Sequence, residues 1–140
     1  MPIDTTAQII GAFAATGYIL AVQQKNRLRN IVILTLAGLL DLFQYYFVCN
    51  YASVFTLIGG QIYSIIIITC ILRKAITPKW VIATYLSYLL ASGILAWGGI
   101  IPFIAMLTNV LFALFLGWGK MQYIRIATLI CALAWLANGL

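Results

Sequence analysis

The chain of 140 residues has no histidine, only two acids (Asp4 and Asp41) and three cysteines. Each shortage excludes a kind of chemistry. Without histidine there is no Ser-His or Cys-His nucleophile pair. Two acids at opposite ends of the first third of the chain make no carboxylate dyad, and no cluster of metal ligands exists. Cys49, Cys70 and Cys131 stand in apolar runs, and an odd number without a spacing framework argues against structural disulfides. They are expected to pack as small apolar residues. No Walker loop, GxGxxG or GxSxG occurs. The expectation is a protein that is not an enzyme and uses no cofactor and no metal.

Charge is scarce as well. Only 7% of residues are charged and 65% are hydrophobic, whereas soluble domains carry about 25% charge. Such a chain lacks the polar surface to face water, and it is too rich in large apolar residues for disorder. The class expected is an all-α, multi-pass integral membrane protein. The Met-Pro-Ile-Asp start has no basic stretch ahead of the first apolar run, so that run is expected to stay in the mature protein.

A helix needs about 20 residues to cross roughly 30 Å of hydrocarbon. Six runs meet that length: Ala7 to Gln23, Ile31 to Cys49, Ser53 to Leu72, Trp80 to Trp97, Ile101 to Trp118, and Tyr123 to Leu140. None shows the strict alternation of a β-barrel strand. Short connections leave no room for a soluble domain, so residues 1–140 read as one membrane domain.

The cations sort with these runs. Lys25, Arg27 and Arg29 follow the first, Arg73, Lys74 and Lys79 the third, and Lys120 and Arg125 the fifth. The connections near 50–52 and 98–100 carry no charge. All eight cations therefore fall on one side, which the positive-inside rule makes cytoplasmic, with both termini outside. The net charge of +6 then marks topology and not nucleic-acid binding, because the cations are divided among short loops that form no groove. The basic turns also suit anionic lipid headgroups. Tyr51 and Trp97 at outer ends, and Trp80, Trp118 and Tyr123 at inner ends, fit the interfacial belts of a bilayer.

An internal echo accompanies this pattern. The first two runs with their basic turn are matched by the last two with theirs. The offset that carries Lys25 to Lys120 also carries Ile31 to Ile126, Leu34 to Leu129 and Ala37 to Ala132. For so apolar a chain those identities are near chance, and the echo of architecture is the better signal. A single crossing, the fourth run, joins the two units, so both have the same orientation and the repeat is parallel.

The segments Ala21-Val-Gln-Gln-Lys-Asn-Arg, Leu40-Asp-Leu-Phe-Gln-Tyr-Tyr-Phe and Asn50-Tyr-Ala-Ser resemble the first three-helix unit of the YgjV-type bacterial inner-membrane proteins. Leu95-Ala-Trp-Gly-Gly-Ile-Ile-Pro, Tyr123-Ile-Arg-Ile and Ala134-Trp-Leu-Ala-Asn are similar to the second half of that family. The resemblance implies kinship with the SWEET, PQ-loop and nicotinamide-riboside carriers, built as three helices, a linker helix and three helices. In those terms 7–72 is the first unit, 80–97 the linker and 101–140 an incomplete second unit whose last helix is absent. A shortened relative, a truncated chain and a unit completed by a partner chain all fit that gap. The Pro-Gln pair of PQ-loop carriers is replaced here by Val22-Gln23, which weakens any proline hinge in the first unit. Pro102 stands at a helix start, where proline is a good opener.

Asp41 is the one acid within a run. A carboxylate at mid-membrane costs about 2.5–3.5 kcal/mol or more, so it should face a polar cavity or be protonated. Gly38, Asp41, Gln44 and Tyr45 share a helix face by spacing. Gln44, Tyr45 or a polar residue of another helix is the expected partner. Two roles stay open for Asp41: a substrate contact or proton site, and an acid held neutral as interhelical glue. Thr56, Gly60 and Ser64, with Gln61 and Tyr63 beside them, read mainly as close packing. Thr108 and Asn109 lie at mid-span of the fifth run. Thr128, Cys131, Trp135 and Asn138 share a face of the sixth, where Trp135 could stack on a ligand or simply pack. Tyr18 is a weaker candidate.

Two functions follow as expectations. One is a carrier for a small neutral or weakly charged solute, with Asp41, Gln44, Tyr45, Gln61, Asn109, Trp135 and Asn138 along the substrate pathway and one unit rocking against the other. The other is a non-transporting membrane protein that assembles with another copy of itself or with a partner chain. The lipid bilayer is a partner in both, and the bacterial inner membrane is the expected location.

Overall fold

In a computed structural model of the protein, residues 5–95, 100–118 and 120–139 are described, with their side chains except those of Ala52, 100–102, Ala105, Trp118 and 134–139. Among the described residues there are six α-helices and no strand: α1 (Thr5–Gln23), α2 (Arg27–Phe47), α3 (Tyr51–Leu72), α4 (Lys79–Leu95), α5 (Ile100–Trp118) and α6 (Met121–Gly139). Thr5–Gln23, Arg27–Phe47 and Ser53–Leu72 are long and apolar enough to cross a membrane. The described apolar stretches of the other three, Lys79–Leu95, Met106–Gly117 and Met121–Leu133, are shorter.

Within the described residues all six apolar runs are helical, and the differences lie at their ends. Helix α2 starts at Arg27, four residues before the apolar run, because Asn26 caps it. The Asn26 side chain accepts from the backbone N–H of Leu28 at 2.9 Å and of Arg29 at 3.4 Å, serving two donors that a helix start leaves unpaired. Replacing Asn26 with alanine is expected to lower stability by about 1 kcal/mol, and with aspartate by much less. Thermal unfolding of the purified protein in detergent measures the difference.

Helix α2 ends before Cys49 because the chain turns left-handed there, with φ 57° at Cys49. The N–H of Cys49 donates to the carbonyl of Tyr46 at 3.1 Å and that of Asn50 to Tyr45 at 3.0 Å. These are the two bonds of a Schellman ending. Helix α3 closes the same way at Lys74 (φ 53°), with Lys74 N–H on Ile71 O at 3.0 Å and Ala75 N–H on Cys70 O at 2.9 Å. Asn50 also receives the Ser53 N–H on its side chain at 3.2 Å, which opens α3.

The chain forms two compact units, Met1–Ile68 and Thr69–Leu140. In the first, α1 and α2 are an antiparallel hairpin with a three-residue turn. The facing residues of α1 are Ala7, Gly11, Ala14, Tyr18 and Ala21, in alternating steps of four and three. Asn30, Leu34, Ala37, Asp41 and Gln44 repeat those steps on α2. That 3.5-residue period keeps one stripe of each helix against the other. Ala7, Ala14, Ala21 and Ala37 are all buried. At Gly17 a Cβ would stand 2.8 Å from the Cβ of Ala37, so the two backbones are close. Small residues permit such an approach where no hydrophobic force holds helices together in lipid.

Many of the large apolar side chains point the other way. Ile9, Phe13, Ile19, Leu36, Phe43, Phe55, Ile62 and Ile65 are exposed. A water-soluble bundle buries such residues and exposes polar ones. Here small and polar side chains share the inside with a few bulky ones such as Ile31, Leu34 and Ile67, while many bulky apolar ones lie outside, a distribution compatible with a hydrocarbon solvent.

In the second unit α4 packs on α5 and α5 on α6. The segment expected to be a linker helix thus packs within this unit as α4. The sulfur of Met106 on α5 fills the place where Gly93 of α4 lacks a side chain. Ala113 and Leu116 of α5 and Ile124, Ala127 and Thr128 of α6 are buried. The rings of Phe115 and Tyr123 stack across the hairpin with centroids 5.6 Å apart. Burial does not follow the internal echo. Ile31 and Leu34 are buried, whereas Ile126 and Leu129 at the matching offset are exposed.

Candidate functional site

The polar side chains of the first unit gather on the inner faces of the hairpin and α3. Side chains lean toward the N-terminal end of their own helix. In an antiparallel pair the two sets lean toward each other. Gly17 lies opposite Ala37, so Asp41 stands about one turn beyond Tyr18 along the hairpin. Tyr18 leans toward it, Asp41 leans back, and the Tyr18 hydroxyl donates to Asp41 Oδ2 at 2.5 Å. The partner expected from another helix is Tyr18.

Gln44 is half-buried one turn further on. Its amide lies over Gly11, where a Cβ would meet the Gln44 carboxamide at 2.7 Å. On the next stripe of α2, Gly38 receives the amide of Gln61 from α3 in the same way. Gly38 and Asp41 are three residues apart on one helix, which places them about 5–6 Å from each other. Gln61 therefore sits within about a turn of the carboxylate. Gln61 Oε1 is buried and has no hydrogen-bond partner. Tyr45 is half-buried on the same helix as Asp41, and Tyr63 is buried on α3.

Asn30 belongs to this interior and is not among the residues predicted from sequence. It is fully buried, and its Nδ2 donates to the carbonyl of Ala21 at 2.6 Å. Ala21 is in the last turn of α1, where carbonyls have no partner within the helix. Asn30 thus ties the end of α1 to the first turn of α2. The signal available in the sequence was its place on the stripe of Leu34, Ala37, Asp41 and Gln44.

Asn109 lies in the second unit, where its Oδ1 accepts from the Cys131 thiol at 2.9 Å, joining α5 to α6. Thr128 is buried and bonds back to the carbonyl of Ile124 at 2.8 Å. Trp135 and Asn138 are in α6, and their side chains are outside the described residues, as are Asp4 and Trp97. Tyr51, Trp80 and Tyr123 are exposed, as interfacial aromatics would be.

Chemically, the cluster of Tyr18, Asp41, Gln44 and Gln61 can accept and donate hydrogen bonds and can hold a proton. Among the described residues no group of three His, Cys, Asp or Glu is placed to hold a metal ion. The chain matches no known protein family, no curated protein and no solved structure.

Proposed function

We propose that the protein is a carrier-like membrane protein for a small solute, with six membrane-crossing helices and Asp41 as the central polar contact. The observation that carries this is the Tyr18–Asp41 pair, held with Gln44 and Gln61 inside helices whose outer faces are bulky and apolar. An acid kept at such a depth is expensive, and acids there mark solute or proton pathways. The grouping of all eight cations after the first, third and fifth helices supports cytoplasmic basic loops and outward termini. The resemblance to YgjV-type proteins and, through them, to SWEET and PQ-loop carriers supports a bacterial inner-membrane location.

A second reading has its own observation. The amides of Gln44 and Gln61 fill the spaces over Gly11 and Gly38. Interior space occupied in this way favours a packed assembly protein in which Asp41 and Tyr18 are interhelical glue.

Transport separates the two. Purified protein in liposomes is expected to take up at least one solute from a panel of labelled neutral and weakly charged compounds. Asn at position 41 can still accept the Tyr18 hydroxyl but carries neither charge nor exchangeable proton. Asp41→Asn is expected to slow that uptake by about tenfold or more, a barrier increase of about 1.4 kcal/mol, with little change in melting temperature. Uptake that is absent across the panel, or indifferent to Asp41→Asn, would leave the assembly role standing.

A further inference from the structure

We infer that the connection from α3 to α4 is a docking site for anionic phospholipid headgroups. The inference rests on the membrane-spanning reading of the helices. It is carried by what this connection exposes. Arg73, Lys74 and Lys79 are all exposed. Among them stand Leu72, Ile76 and Trp80, exposed by 65%, 87% and 70%. No Asp or Glu follows Asp41 in the sequence, so no acidic side chain in the second half of the chain neutralises these cations.

The connection is folded rather than loose. The left-handed turn at Lys74 and its two backbone bonds fix Arg73 and Lys74 beside the end of α3. Thr77 is buried, and the carbonyl of Pro78 accepts the N–H of Val81 at 3.1 Å as α4 begins. Three cations are thus presented on a short, shaped loop with no anion paired to them among the described residues.

The apolar members decide the kind of anion. A site for free phosphate needs donors and gains nothing from an exposed isoleucine and tryptophan. A phospholipid offers a phosphate directly above hydrocarbon and so meets both sets of side chains. Arginine grips a phosphate with two parallel donors, lysine acts as a point charge, and tryptophan settles at headgroup depth. The α1–α2 turn lacks this pairing. Lys25 and Arg29 are exposed there, but no large apolar side chain is exposed between Leu20 and Val32.

Native mass spectrometry of the purified full chain tests the site. The protein is released from mixed micelles containing equal phosphatidylglycerol and phosphatidylcholine, and the bound lipids are counted. The parent chain is expected to prefer phosphatidylglycerol. Each basic residue in contact with the bound headgroup is expected to contribute about fivefold, so Arg73→Gln/Lys74→Gln/Lys79→Gln is expected to reduce the preference by at least about tenfold. A control with the same change of charge elsewhere, Lys25→Gln/Arg29→Gln/Lys120→Gln, is expected to keep most of it. Should the triple variant fail to fold, Lys79→Gln alone is expected to cost about fivefold. Equal loss in the two triple variants would overturn the site in favour of bulk charge. No preference in the parent would overturn it as well, and an acidic protein partner would then be the better occupant. A parent chain that carries no phospholipid of either kind would remove the membrane reading together with the site.

Discussion

Leucine in place of Gly17 is expected to destabilise the protein by about 3 kcal/mol, the largest effect of any single apolar substitution in the hairpin. Even a Cβ at this position would stand 2.8 Å from the Cβ of Ala37 and 3.5 Å from its Cα. The obstacle is another backbone, which cannot swing aside as a side chain can. Helices α1 and α2 would have to part, and the Tyr18–Asp41 hydrogen bond beside Gly17 would lengthen with them. Gly38→Ala is the useful contrast, because its new methyl meets only the flexible end of Gln61. It is expected to cost no more than about 1 kcal/mol. Thermal unfolding of both variants in the same detergent gives the comparison. A Gly17→Leu protein that melts with the parent would show that α1 and α2 do not meet along this seam.

The second large effect is expected from a change of one heavy atom. Asn30→Asp preserves shape but removes the donor that reaches the Ala21 carbonyl at 2.6 Å. It also sets a carboxylate against that carbonyl at a position with no solvent exposure. The Ala21 carbonyl keeps its bond from the Gln24 N–H at 3.0 Å, so losing the Asn30 bond alone costs about 1 kcal/mol, and the buried carboxylate set against that carbonyl costs more. The expected loss at neutral pH is about 3 kcal/mol or more. Asn30→Leu, which brings no charge and removes the unpartnered Oδ1, should lose much less. If Asn30→Asp unfolds at the parent's temperature, Asn30 is not the tie between the helices.

These two positions show where sequence reasoning stopped. The helices were legible because each is a long apolar run, and runs of that length are nearly all a membrane helix requires. Their ends were less so. The start of α2 was hidden by Arg27 and Arg29, which lower the local apolarity although Asn26 caps a helix there. Asp41 stood out because it is an acid in an apolar run. Its partner did not, since Tyr18 is one of eight tyrosines and nothing local distinguishes it. The seam was the least visible feature. Alanine and glycine count as ordinary apolar residues in a chain that is 65% hydrophobic. Only the alternating steps of four and three, read on α1 and α2 together, separate the inner stripe from the outer faces. Asn30 falls on that stripe, and without the stripe it reads as a polar residue near a loop. The internal echo carries no residue-level information for a related reason. Among so many Ile, Leu and Ala, identities at a fixed offset occur without shared burial.

The hairpin has a consequence for how the chain is made. Its interhelical bonds join partners close in sequence, nine residues apart for Asn30 and Ala21 and 23 for Tyr18 and Asp41. Short loops close fast, and chains fold from the N-terminus as they are synthesised. The first two helices can therefore clasp as soon as Gln44 has emerged, with four later helices still to be translated. The acid of α2 would then enter the bilayer already bonded to a neighbour, and the penalty assigned to a lone carboxylate in hydrocarbon would never be met in full.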